Sequence, residues 1–157
     1  MSRFRAVVFD LDDTLYPERQ YVLSGFRAVG RWLERRHGGE AEATAQEMVA
    51  ISESVSRGAT FDTWLLRHGY DLGLVGDMVT VYREHRPEIQ PFPETESVLE
   101  VLRPHYKLGI LSDGYLAVQK LKFEALGLGR YFDAVMFTDE LGPDAWKPSP
   151  RAFSVLL

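Results

Sequence analysis

Cysteine is absent from the 157-residue chain. This absence excludes disulfide bonds, thiolate nucleophiles and zinc sites built on cysteine. The apolar run before the first acidic residue covers only residues 6–9, which is too short for a secretory signal or a membrane span. We therefore expect a soluble, cytoplasmic protein without a membrane partner.

An excess or a cluster of positive charge is also absent from the sequence. The chain has 18 Lys and Arg against 23 Asp and Glu, a formal net charge of −5, and its basic residues are scattered. Nucleic-acid backbones require a concentrated basic surface, so we expect no nucleic-acid partner. A small anionic substrate stays open, because a local site can be positive on an acidic protein. With 45% hydrophobic residues, the composition is that of an ordinary globular protein.

Short apolar runs that end in polar or acidic residues recur along the chain. Continuous runs of this kind are typical of strands that are buried on both faces of a parallel sheet. Helical patterns separate them, near residues 93–104 and at 117–126, and Gly127 closes the second. Alternating strands and helices predict an α/β fold. The apolar runs cover residues 5–9, 107–111 and 134–137.

The segment from 16 to 90 does not follow this alternation and is typical of helices only. Its clearest apolar stripes, at helical spacing, are Val22, Phe26, Val29 and Leu33, and then Leu74, Met78, Val81 and Tyr82. We interpret the segment as an inserted helical cap that covers the carboxyl end of the first strand. The predicted domains are an α/β core of residues 1–15 and 91–157 and a helical cap of residues 16–90.

Acidic residues leave the first predicted strand at alternate positions, Asp10 and Asp12. Side chains repeat every two residues along a strand, so both can reach the same crevice. One carboxylate can attack phosphorus to form an aspartyl-phosphate, and the other can protonate the leaving oxygen and then activate water. Mg²⁺ would offset the repulsion between these acids and a phosphate. Alternatively, Asp12, Asp13 and Thr14 form a turn that caps the next helix.

Two later strand ends also suit phosphate chemistry. Ser112, Asp113 and Gly114 follow the second strand and precede a helix, where a hydroxyl and free backbone N–H groups favour an anion. The alternative is an ordinary helix cap. Lys147 lies in a proline-containing loop after the third strand and could neutralise phosphate oxygens. Its alternative is the common one for lysine, an exposed surface residue.

In this order along the chain, these residues resemble the motifs of the haloacid dehalogenase-like (HAD) hydrolase superfamily. Its first motif is matched by residues 10–14, its second by Ser112 and its third by Lys147. The helical insertion is similar to that family's α-helical cap of the C1 type. The resemblance implies a Rossmann-like parallel sheet core with an inserted all-helical cap.

The resemblance also implies roles for the residues of the first motif. Asp10 would be the nucleophile and a Mg²⁺ ligand. Asp12 would be the general acid and base, and would bind the metal through its backbone carbonyl. Thr14 would support the phosphate-binding loop.

The second and third motifs would bind the phosphoryl group. Ser112, together with the backbone N–H groups of Asp113 and Gly114, would hold it. Lys147 would stabilise both Asp10 and the phosphate. Family members that cleave carbon–halogen bonds usually lack the second acid, so Asp12 favours a phosphate substrate.

The expected function is a magnesium-dependent phosphomonoesterase acting on a small phosphorylated metabolite, such as a sugar phosphate or a nucleoside monophosphate. Tyr16 and cap residues would contact the leaving group. Two alternatives remain: a phosphotransferase or phosphomutase of the same superfamily, and a catalytically inactive binding module that retains the fold.

One family feature is missing. The fourth motif, an acidic pair or cluster that completes the magnesium site, has no counterpart, because residues 145–157 contain no Asp or Glu. A truncated form of a longer enzyme is the favoured explanation. The alternatives are completion by another chain segment, as in a homo-oligomer, and a shortened relative that has lost catalysis. Asp113 or Asp139 could supply a substitute metal ligand.

Overall fold

The computed structural model describes residues 4–56 and 58–156. Residues 1–3 and 157 of the predicted core and residue 57 of the predicted cap lie outside this range. The chain forms two compact units, the first made of Met1–Glu18 and Glu88–Leu157 and the second of Arg19–Pro87.

Three described strands and seven described α-helices build the chain, with short 3₁₀ helices between some of them. The strands are β1 (Ala6–Phe9), β2 (Lys107–Ser112) and β3 (Ala134–Phe137). The helices are α1 (Glu18–His37), α2 (Ala41–Ser54), α3 (Thr60–His68), α4 (Val75–Glu84), α5 (Thr95–Leu102), α6 (Leu116–Leu126) and α7 (Arg151–Leu156).

The first unit is built on a parallel sheet with the strand order β1-β2-β3. Val8 pairs with Gly109, and Gly109 pairs with Ala134, so the carboxyl ends of all three strands meet at one edge. The central strand β2 is the most buried, with Ile110 fully inaccessible. The predicted α/β class is confirmed, and the three predicted strands are found within one residue of their expected bounds.

A backbone carbonyl ties the loop after β1 to the start of α5 and to the chain just before it. Leu15 O accepts hydrogen bonds from the backbone N–H of Phe92 and from the hydroxyl of Thr95, each at 3.0 Å. Leu15 is itself buried. These bonds fix the loop that carries the first motif without using its acidic side chains.

The second unit has an apolar interior that includes several aromatic side chains. Phe26, Val29 and Leu33 of the predicted α1 stripe are buried, and Met78 of α4 is fully buried. Gly25 lies against the Tyr82 ring, where an added Cβ would come within 2.4 Å of a ring carbon. The members of this core cluster are Phe26, Val29, Trp32, Leu33, Ala45, Met48, Ile51, Phe61, Trp64, Leu65 and Met78.

The described part of the second unit contains helices and turns only, as its sequence pattern predicts. No helix within residues 4–56 and 58–156 is long and apolar enough to cross a membrane.

Candidate active site

Asp10 stands at the carboxyl end of β1, and its carboxylate is paired with Lys147. Its Oδ1 accepts a hydrogen bond from the backbone N–H of Leu11 at 2.8 Å and lies 3.0 Å from Lys147 Nζ. The Asp10 side chain is 45% exposed and that of Lys147 is 29% exposed. The pair is therefore held in a fixed orientation while the carboxylate remains accessible to a substrate.

Asp12 makes a separate and more buried set of contacts. Lys122 Nζ lies 2.9 and 3.0 Å from its two carboxylate oxygens. Gln119 Nε2 donates to Oδ2 at 2.9 Å, and the Tyr16 hydroxyl donates to Oδ1. Three side chains thus satisfy both oxygens of this carboxylate.

These contacts govern the ionisation of Asp12. Burial by itself would raise the pKa of the carboxyl group, because it disfavours the charged form. The charge of Lys122 and the hydrogen bonds from Tyr16, Gln119 and Lys122 outweigh that effect and lower the pKa below its usual value. Within this network, Asp12 is a carboxylate at neutral pH.

Gln119 links Asp12 to the end of β2. Its Nε2 also lies 2.7 Å from Ser112 Oγ and 2.8 Å from the backbone carbonyl of Asp113. An amide nitrogen carries two hydrogens, so three acceptors share two donors. Ser112 and Gln119 are both 1% exposed. The hydroxyl predicted to bind phosphate and the acid predicted to transfer protons therefore contact the same amide.

The Asp113 carboxylate holds the loop that carries Lys147. The backbone N–H of Lys147 lies 3.2 Å from both Asp113 oxygens, and Thr138 Oγ1 donates to Oδ1 at 2.7 Å. Lys147 Nζ also donates to the backbone carbonyl of Leu111 at 3.3 Å. Asp113 thus fixes the backbone of the third motif with its side chain, a role that the sequence did not predict.

Gly114 follows in a conformation that favours glycine. Its φ is +121°, and an added Cβ would come within 3.3 Å of Gln119 Cδ. Any side chain here would strain the backbone and press on the amide that joins Asp12 to Ser112.

The remaining predicted residues divide between the functional and the structural alternatives. Asp13 Oδ1 accepts from the backbone N–H of Glu18, the first residue of α1, so the capping alternative holds for Asp13. Thr14 is exposed and borders a cavity of about 100 Å³. Tyr16 is fully buried, and its hydroxyl contacts Asp12. Asp139 Oδ2 accepts from the N–H of Leu116 at the start of α6.

Gln119 and Lys122 are the site residues that the sequence analysis missed. They are three residues apart on α6, and Leu126 follows Gln119 by seven, so all three share one helix face. All three are buried. A lysine and a glutamine at core positions of a helical stripe were the available signal, since buried lysine is rare unless it is paired.

The carboxylate and backbone oxygens near Asp10 are of the type that binds Mg²⁺. Mg²⁺ is usually bound by one or two carboxylates together with waters and substrate phosphate oxygens. Asp10 offers an accessible carboxylate beside the backbone of the 10–14 loop. Asp113 is engaged by Lys147 and Thr138, so its carboxylate serves the loop. Among the described residues, no group of three or more acidic or histidine side chains is placed to hold a metal ion.

A family model for haloacid dehalogenase-like hydrolases matches residues 4–157, nearly the whole chain. The chain belongs to this hydrolase family. The resemblance drawn from the sequence motifs is therefore confirmed.

Among curated HAD-like relatives, the chain is 31% identical to glyceraldehyde 3-phosphate phosphatase of Methanopyrus kandleri, over 95% of this chain and 67% of the relative. It is 24% identical to the pyrimidine 5'-nucleotidase YjjG of Escherichia coli, over 96% of this chain and 69% of that protein. The chain thus spans about two thirds of the length of these relatives.

Solved HAD-like structures share the fold. YfnB of Bacillus subtilis, solved bound to magnesium, superposes with a TM-score of 0.64 at 16% identity, over 90% of this chain and 66% of that chain. L-2-haloacid dehalogenase of Xanthobacter autotrophicus superposes with a TM-score of 0.53 at 27% identity, over 97% of this chain and 63% of that one.

Proposed function

We propose that this HAD-like hydrolase is a magnesium-dependent phosphomonoesterase that acts through an aspartyl-phosphate on Asp10. The observation that carries the proposal is the Asp10–Lys147 pair at 3.0 Å, with the Asp12–Gln119–Ser112 network at the same sheet edge. A nucleophile, a cation, a second acid and a buried hydroxyl are thereby assembled in one unit of the chain.

In the first step, Asp10 attacks the phosphorus atom. We assign the attack to Oδ2, because Oδ1 is held by Lys147 and by the N–H of Leu11. The bond from phosphorus to the leaving oxygen breaks, and that oxygen takes a proton from Asp12. Asp12 must be protonated for this step, and the negative charge of a bound phosphate favours its protonated form.

In the second step, water attacks the phosphorus of the aspartyl-phosphate. Asp12, now a carboxylate, takes the proton from that water, and the bond between phosphorus and Asp10 breaks to release phosphate. The contacts of Lys122 favour the ionised form that this step requires. Mg²⁺, when bound by the Asp10 carboxylate and the Asp12 backbone carbonyl, would supply electrostatic neutralisation of the phosphate.

The comparisons support a small phosphorylated substrate. The relatives named above act on glyceraldehyde 3-phosphate and on pyrimidine nucleotides, and YfnB was solved with magnesium. We propose a sugar phosphate, a triose phosphate or a nucleoside monophosphate as the substrate class. The second acid, Asp12, favours this class over 2-haloacids, whose halide leaving group needs no proton.

The test is phosphate release from an aryl phosphate, from glyceraldehyde 3-phosphate and from a pyrimidine nucleoside monophosphate, with Mg²⁺ and with a chelator. We expect release that depends on Mg²⁺ and is lost with the chelator. A parallel assay for halide release from a 2-haloacid should be negative. Absence of phosphate release with metal supplied, or halide release in its place, would overturn the proposal.

A further inference from the structure

We propose that Lys122 and Gln119 are positioning residues, which hold the Asp12 side chain by both of its oxygens and align it with Ser112 before substrate binds. This inference rests on the proposed function, because Asp12 is taken as the proton-transferring group. Neither residue belongs to the three motifs that identify the family in this sequence.

The burial of Lys122 is the first observation. Its side chain is 6% exposed, and a buried ammonium is costly unless it is paired. Lys122 Nζ lies within 3.0 Å of both Asp12 oxygens. A contact to both oxygens fixes the plane of the carboxylate, whereas a contact to one oxygen would let it rotate.

Gln119 supplies the second constraint. The same Nε2 lies within hydrogen-bonding distance of Asp12 Oδ2, Ser112 Oγ and the Asp113 carbonyl. Movement of Asp12 would therefore disturb the hydroxyl that we assign to phosphate. Both residues project from α6, a regular helix closed by Gly127 in the left-handed conformation, so they act from a rigid element and not from a loop.

The charged surroundings of Asp12 determine what removal of Lys122 should do. The titratable groups in contact with Asp12 are Lys122 from α6 and Tyr16 from its own loop, and the Asp10–Lys147 pair lies at the same strand end. Without the ammonium, Asp12 Oδ1 would keep the contact of Tyr16 and Oδ2 that of Gln119, but the group that bridges both oxygens would be gone. The Asp12 carboxylate should then lose its fixed orientation.

The experiment compares Lys122→Met with wild type, with Lys120→Met as the matched control. Lys120 lies on the same helix, but its side chain is 51% exposed and pairs at 3.6 Å with Glu140. A crystal structure of Lys122→Met should show the Asp12 carboxylate turned out of its wild-type plane, and one of Lys120→Met should show it unchanged. With the aryl phosphate, kcat should fall by roughly 10- to 100-fold in Lys122→Met, with KM little changed.

Gln119→Met keeps the charge of Lys122 and provides a second variant if Lys122→Met does not fold. It should displace the Asp12 carboxylate by less than Lys122→Met does, and it should also weaken inhibition by inorganic phosphate through Ser112. An Asp12 carboxylate that keeps its wild-type orientation in both variants would overturn the positioning role. The absence of phosphate release by wild type would overturn the proposed function instead, and the structures of the variants would still report on Asp12.

Discussion

Both units of this chain have an apolar interior, but they differ in the polar groups that they bury. The first unit buries the polar side chains of Ser112, Gln119, Lys122 and Thr138 beside its sheet, whereas the second unit buries an apolar cluster and the hydrogen-bonded side chains of Ser24 and His85. Changes of side-chain volume destabilise an apolar core. Changes of charge or of hydrogen-bonding capacity disturb a polar network. Size-conserving substitutions in the first unit should therefore alter function, and truncations in the second should alter stability.

The largest effect should come from Asp10→Asn. It removes the nucleophile but nearly preserves side-chain volume, so phosphate release should fall by at least roughly 10³-fold. The Asp10 side chain is 45% exposed and its ion pair is partly screened, so the free energy of unfolding should change by about 1 kcal/mol or less. Steady-state assay and denaturant unfolding measure the two quantities.

Asp13→Asn is the matched control for Asp10→Asn. Asp13 is an acid of the same loop, but it caps the N–H of Glu18 and has no assigned part in the reaction. Retained phosphate release in Asp13→Asn, with loss in Asp10→Asn, would support the assignment. Equal loss in both variants, or full activity of Asp10→Asn, would contradict it.

The functional residues at the strand ends could be predicted from the sequence because the pattern that marks them is local. Asp10 and Ser112 each follow directly after a short apolar run, and parallel strands place their carboxyl ends at one edge. Lys147 was harder to place, since it lies ten positions after the end of β3. The catalytic roles of these residues stay predictions until they are assayed.

The residues that hold Asp12 could not be predicted from the sequence, because their partner is distant along the chain. Lys122 and Gln119 contact Asp12 across 110 and 107 positions. Which face of α6 meets the loop after β1 is set by packing against the sheet, and helical periodicity does not specify it. The side-chain role of Asp113 was missed for a similar reason, because the N–H of Lys147 that it accepts lies 34 positions away.

In the second unit, Trp64→Ala should cause the largest loss of stability. Trp64 is 5% exposed, lies in the apolar cluster and stacks on Tyr70 at 5.6 Å. Truncation of a buried aromatic residue to alanine costs about 3–5 kcal/mol. Denaturant unfolding followed by circular dichroism, with hydrogen exchange of the α3 amides, should report this loss.

Leu66→Ala is the control for Trp64→Ala. Leu66 lies on the same helix but is 65% exposed, so its truncation should change the unfolding free energy by about 0.5 kcal/mol or less. Similar losses in both variants would show that this helix is not held by the apolar cluster.

Asp12→Asn should have a smaller effect than Asp10→Asn and Trp64→Ala, and its effect on stability should depend on pH. In wild type the pKa of Asp12 is lowered from 3.8, so the folded chain binds fewer protons at this site than the unfolded chain. The stabilisation is therefore complete above the ordinary value and is lost as the pH falls through the lowered one. At neutral pH, Asp12→Asn leaves the charge of Lys122 buried without its carboxylate partner. We expect the free energy of unfolding to fall by about 2 kcal/mol. This is less than the roughly 3–5 kcal/mol lost when one partner of a fully buried pair is removed, because the Asp12 side chain is still 23% exposed.

An exposed pair in the same unit separates this burial effect from a simple surface charge effect. Asp133 also has a lowered pKa, owing to hydrogen bonds from Lys107 and from the N–H of Leu108, but the Lys107 side chain is 77% exposed. Added salt should weaken the destabilisation in Asp133→Asn, since salt screens exposed charges, and should leave that in Asp12→Asn largely intact. In both variants the difference from wild type should shrink in acid, where the wild-type carboxylates become protonated. A difference in Asp12→Asn that is constant from neutral pH to acid would show that Asp12 is held by packing and not by the charge of Lys122, and the polar network of the first unit would then resemble the apolar core of the second.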